Sequence, residues 1–158
     1  MKRVFLMFMT LYVLFPNVAF AQIKVDKAGD GWDLQVDSAL NLIKTVDAEK
    51  YLLVENVCQE ISFWINTFSS SSYQDGNGLI YISTEVIRLN SINNLAITIV
   101  HESMHLRLRQ KGVTLSQKEE ENLCYRYELE FINKLIQFTD VEPWVINHTQ
   151  RMINDTAQ

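Results

Sequence analysis

The sequence predicts a single small α+β domain in which a short antiparallel sheet packs on helices. Three observations lead there. Apolar residues recur at three- and four-residue spacing over 34–46, 94–109 and 116–138, the period of helices with one buried face. Two stretches, EISFWINTF at 60–68 and LIYIS at 79–83, carry β-branched and aromatic residues at strand spacing. The turn-rich segment SSSSYQDGNG at 69–78 separates them, so the strands are expected to pair as an antiparallel hairpin, although the connection is longer than hairpins prefer.

The N-terminal stretch does not belong to that fold. Lys2 and Arg3 precede an apolar run from Val4 to Phe15, and Ala19-Phe20-Ala21 supplies a small-x-small cleavage site. This is the layout of a secretory signal peptide over 1–21, removed before Gln22, which implies a periplasmic or secreted protein. Retained, the same segment would anchor the chain in a membrane; no later stretch is apolar enough to span one. Gln22–Gln158 then forms one domain.

The 158-residue chain has 14 basic and 19 acidic residues, a formal net charge of −5, and loses two cations with the leader. Its only basic cluster is Arg107, Arg109 and Lys111. A nucleic-acid partner is therefore not expected. Cys58 and Cys124 are the only cysteines. In an oxidising compartment they either form one disulfide or stay as buried thiols.

Along the chain, Trp32 is a first anchor. Val36, Ala39, Leu40, Ile43 and Val46 mark the buried face of a helix, and residues 47–57 add a second helical piece. Residues 84–90 read as a short helix or turn. Asn93 or Asn94 is placed to cap the next helix, whose end is marked by Arg107, Arg109, Lys111 and Gly112. Ser116, followed by three glutamates, opens the last long helix. Residues 139–158 show no clear period.

The chemistry is concentrated in TIVHESMHLRLR at 98–109. On a helix, His101 and His105 lie four apart and point the same way, so two imidazoles can hold one metal ion. Glu102 lies about one hundred degrees round, where it can act as general base on a water at that metal. Leu95, Ala96, Ile97, Ile99 and Val100 make this helix apolar almost all round and therefore buried. Buried histidines and a buried glutamate need partners.

A zinc site needs a third protein ligand. The longer pattern with a third histidine requires Gly at 108 and His at 111, and this chain has Leu108 and Lys111. The glutamates of KEEENLCYRYELEFINKL remain. A stripe of Cys124, Tyr127, Phe131, Leu135 and Phe138 sets the phase of that helix. Glu120 then falls within the stripe, Glu121 at its edge, and Glu119 faces away. Glu120 is the expected ligand and Glu121 the reserve. Glu128, near the stripe, is a candidate partner for a ligand histidine.

The strand LIYIS, the helix LAITIVHESMHLRL and the helix opening EENLC together resemble the gluzincin zinc metallopeptidases, in particular small single-domain minigluzincins. The resemblance covers residues 79–131. It implies a zincin-like domain with the strand at the edge of the active-site sheet, Zn2+ on His101, His105 and Glu120, and Glu102 as the base. The activity implied is hydrolysis of peptide or protein substrates. Cys124 stands where the family often has an acid, a departure that leaves Glu128 to support a ligand histidine. Tyr125, Arg126, Tyr127 and His148 are candidates for stabilising an oxyanion. The alternatives are a catalytically inactive zinc-binding protein acting as a partner-binding module in the cell envelope, and a metal-free interaction domain.

Overall fold

The computed structural model describes residues 23–27, 31–64, 73–74, 77–84, 87 and 91–157. The leader over 1–21 lies outside the described residues. The elements are β1 (Lys24–Val25), α1 (Trp32–Val46), α2 (Ala48–Val57), β2 (Glu60–Trp64), β3 (Tyr73–Gln74), β4 (Leu79–Ser83), α3 (Ile92–Gln110), α4 (Gln117–Leu135) and α5 (Pro143–Ala157). The α+β class holds. No helix among the described residues is long and apolar enough to cross a membrane.

The sheet corrects one expectation. Its order is β1-β2-β4-β3. Strands β2 and β4 run parallel, with Glu60 opposite Leu79 and Trp64 opposite Ser83, and β1 joins β2 in parallel. Among the described residues only the two-residue β3 is antiparallel, with Tyr73 opposite Tyr81. The two main strands therefore do not form the expected antiparallel hairpin. A parallel return needs a connection of about a dozen residues or more, and residues 65–78 provide it. The length that sits badly with a hairpin was the signal. Strand β4 also lies between β2 and β3 instead of at the sheet edge.

Local chemistry explains the helix boundaries. Ser91, not Asn93 or Asn94, caps α3 by accepting the Asn94 amide at 3.3 Å. Gly112 ends that helix at φ 63°, a left-handed conformation that costs glycine little. Ser116 and Glu119 form a reciprocal capping box at the start of α4. Asp47 caps α2 through the Lys50 amide at 3.2 Å.

Helix α3 is the centre of the molecule. Leu95, Ala96, Ile99, Val100 and Leu106 are essentially inaccessible to solvent. Each large side chain among them stabilises the fold by roughly 1.5–3 kcal/mol relative to exposure. Ile61, Ile80 and Ile82 from the sheet, Val36 and Ile43 from α1, and Phe131 and Ile132 from α4 belong to the same core. A helix packed on all sides holds its two histidines in fixed directions.

Cys58 and Cys124 are both buried free thiols, so the disulfide considered from sequence is not formed. Cys58 caps the end of α2, and its thiol donates to the Glu60 carbonyl at 3.4 Å. Cys124 lies midway along α4. Cys58 belongs to the hydrophobic core, whereas Cys124 lies among Glu102, Glu120, Glu121 and Glu128.

Candidate metal centre

His101 and His105 present their Nε2 atoms to each other at 3.2 Å. The Glu121 carboxylate faces both, with Oε2 3.6 Å from His101 Nε2 and Oε1 3.6 Å from His105 Nε2. These are the three residues whose donor atoms converge among the described residues. A tetrahedral zinc with bonds of about 2.0–2.1 Å would separate its ligand atoms by about 3.3–3.4 Å. The observed spacings lie on either side of that value, and two imidazoles with one carboxylate suit zinc chemically.

The far nitrogen of each ring is also committed. His101 Nδ1–H donates to Glu128 Oε2 at 2.8 Å, and His105 Nδ1–H donates to Glu120 Oε1 at 2.7 Å. A carboxylate can only accept, so these contacts fix the proton on Nδ1 and leave Nε2 as the donor atom. Two Nε2 lone pairs 3.2 Å apart repel unless a proton or a metal ion lies between them. The cluster therefore calls for positive charge.

Burial opposes charging His101, but the carboxylates of Glu121 and Glu128 outweigh it and raise its pKa to about 10. Contact with His101 holds the Glu121 carboxyl below its ordinary range, against the effect of its own partial burial. Glu102 is buried beside His101 and His105, and burial raises its pKa despite the attraction of both imidazoles. Four glutamates thus surround two histidines, with Glu102 and Glu128 buried and Glu120 and Glu121 partly open to solvent.

The geometry places Glu121, not Glu120, in the donor group, for a reason visible in α4. Its buried residues are Cys124, Glu128, Phe131, Ile132 and Leu135. The face is turned from the expected stripe because Phe138 lies beyond the helix and is 59% exposed, while Tyr127 packs under the Lys50 ammonium. In the true phase, Glu121, Cys124 and Glu128 look toward α3. Glu120 reaches round to the outer nitrogen of His105, and Glu119 caps the helix in solvent.

Of the four oxyanion candidates, two lie near the centre. The Tyr125 ring meets His101 edge-on at 4.7 Å between centroids, and His148 meets Tyr125 at 6.3 Å. Tyr127 faces Lys50, and Arg126 donates to Asn122 at 2.8 Å. Burial pushes the Tyr125 phenol up to about 12, so it remains a donor at neutral pH.

Sequence reading missed Thr149. It is fully buried on α5, and its hydroxyl donates to Glu128 Oε1, the carboxylate that holds His101. Nothing in the local pattern marks a lone threonine for this task. A groove of about 500 Å3 opens elsewhere, between α2, the end of α3 and α4, and is lined by Lys50, Arg107, Gln110, Tyr127 and Glu130 among others. None of the donor residues borders it. The donor atoms, not that volume, mark the candidate site.

Comparisons with protein families, with curated proteins and with solved structures give no match for this chain.

Proposed function

We propose that the chain is a zinc-dependent peptidase of the gluzincin type, with Glu121 taking the ligand role expected of Glu120. The observation that carries this reading is the pair of Nε2 atoms and the Glu121 carboxylate, 3.2–3.6 Å apart, with each imidazole held from behind by its own glutamate. A zinc ion bound there would supply Lewis acidity toward a water molecule and a substrate carbonyl. His101, His105 and Glu121 would hold it, and Glu128 and Glu120 would orient the two rings.

Glu102 is the general base. It takes a proton from the attacking water and returns it to the leaving amine. Burial raises its pKa in the metal-free chain, and a cation bound beside it would lower it again, keeping the carboxylate ionised to accept the proton. Tyr125, whose ring lies against His101, is the candidate donor for the developing oxyanion. The substrate class is a peptide or protein. Residues 1–21 carry the layout of an export signal, so the proposed setting is the periplasm or the exterior.

The test is metal stoichiometry of the purified chain, followed by hydrolysis of a peptide library with Glu102→Gln as control. About one zinc per chain and cleavage abolished by Glu102→Gln support the reading. Zinc without cleavage leaves an inactive zinc-binding module of the cell envelope. Failure to bind zinc overturns the metal centre.

A further inference from the structure

Helix α5 is tied to the metal-facing side of α4 at three levels. Near the first, Asn122 donates to the Ile153 carbonyl at 2.8 Å and to the Thr156 hydroxyl at 2.9 Å, one residue beyond Glu121. Tyr125, whose ring lies against His101, meets His148. At the third level the buried Thr149 hydroxyl donates to Glu128 Oε1, while Glu128 Oε2 accepts from His101 Nδ1.

The Thr149 hydroxyl has one proton and two acceptors in reach, the Glu128 carboxylate and the Val145 carbonyl at 3.0 Å. The ionised group makes the stronger bond, so the proton goes to Glu128. That bond occupies one carboxylate oxygen and fixes the rotamer that brings the other to His101. Glu128 is only 6% exposed, so water is poorly placed to do the same work. Without the hydroxyl, the carboxylate can swing away from the imidazole, and the His101 tautomer and ring angle are less well defined.

We infer that Thr149 is a positioning residue for the metal centre, and that through it the docking of α5 and the binding of metal are coupled. The inference rests on the proposed zinc site but concerns a helix that provides none of its ligands. Coupling of this kind is reciprocal: if docked α5 favours metal, bound metal favours docked α5.

The probe is zinc alone, titrated into the full chain against a chromophoric chelator, with Thr149→Val and Thr149→Ser measured alongside. The valine keeps the shape and loses the donor; the serine keeps the donor. Expected is about a tenfold rise in Kd for Thr149→Val, the lower end for an outer partner of a metal ligand, and near wild-type affinity for Thr149→Ser. Equal affinity of the wild type and Thr149→Val overturns the inference and leaves the metal centre standing. A wild type that binds no zinc overturns both. Should Thr149→Val not fold, hydrogen exchange of the wild type decides. Slowing of the amides at 145–153 by zinc, beyond any slowing in α1, supports coupling; no such difference overturns it.

Discussion

Replacing Glu120 and Glu121 one at a time tests the assignment of the third ligand, and the structure sets the scale. Glu121 faces both Nε2 atoms at 3.6 Å, whereas Glu120 touches only the far nitrogen of His105. Loss of an outer partner typically weakens a metal site about 10–100-fold. At zinc a thousandfold above the wild-type Kd, binding stabilises the folded chain by about 4.1 kcal/mol. Under the same conditions Glu120→Ala should retain about 1.4–2.7 kcal/mol, and Glu121→Ala close to none. For a domain of this size each kcal/mol is worth roughly 3–5 °C in Tm. Thermal unfolding with saturating zinc and with EDTA therefore separates the variants clearly. The wild type should shift by roughly 12–20 °C, Glu120→Ala by about a third to two thirds of that, and Glu121→Ala hardly at all. The opposite order would refute the geometric argument and restore Glu120 as the ligand. A wild-type-sized shift in both variants would refute the three-residue donor set.

Other predictions follow from the same side chains. Glu102→Gln should bind zinc as the wild type does yet lose about 10²–10⁴ in turnover, checked by stoichiometry beside steady-state kinetics. Both thiols should resist a thiol reagent in the native protein and react once it is unfolded, because Cys58 and Cys124 are buried and unpaired; a protein with no titratable thiol after denaturation would contradict this. Alkaline pH should weaken the fold through Cys58, whose pKa burial raises from the ordinary 9.0 to about 12. The unfolded thiol ionises first, so stability is intact below about pH 9 and falls by about 1.4 kcal/mol per pH unit above it, until the folded thiol also ionises. Denaturant midpoints at pH 8 and 10 should diverge less in Cys58→Ala.

The histidine pair was legible because helical geometry alone puts positions 101 and 105 on one side, and the apolar run before them marks the helix as buried. The phase of α4 was less so. Phe138 looked like core and is solvent-exposed, while Tyr127 packs against the core only in part, beneath a lysine. That misplaced the helical face by about one residue, enough to exchange Glu120 for Glu121. The parallel pairing of β2 with β4 was hidden because strand periodicity is the same in either orientation, and only the length of the connection differs. Helix α5 does carry an apolar face, with Val145, Ile146, Met152 and Ile153 at helical spacing around Thr149, but the buried threonine interrupts that face and hid its period in the sequence. A polar residue there looks like surface until its acceptor on another helix is known.

Charge explains why this site needs its particular arrangement. Glu102, Glu120, Glu121 and Glu128 carry four negative charges when ionised, and fully protonated His101 and His105 would return only two. Two of the four, Glu102 and Glu128, are buried, where an unbalanced carboxylate is costly. The chain offsets part of this locally: Thr149 donates to Glu128, and Arg109 approaches Glu120 at 3.9 Å. The remainder falls at the facing Nε2 atoms and the Glu121 carboxylate. A divalent cation there, held by neutral imidazoles, would offset two of the four charges, as the two protons would, and remove the lone-pair repulsion between the rings. It would also lower the pKa of Glu102, leaving that carboxylate ionised and ready to accept a proton. Ligand geometry and base ionisation are thus consequences of one cation at one position, and removing either His101 or His105 should disturb both together.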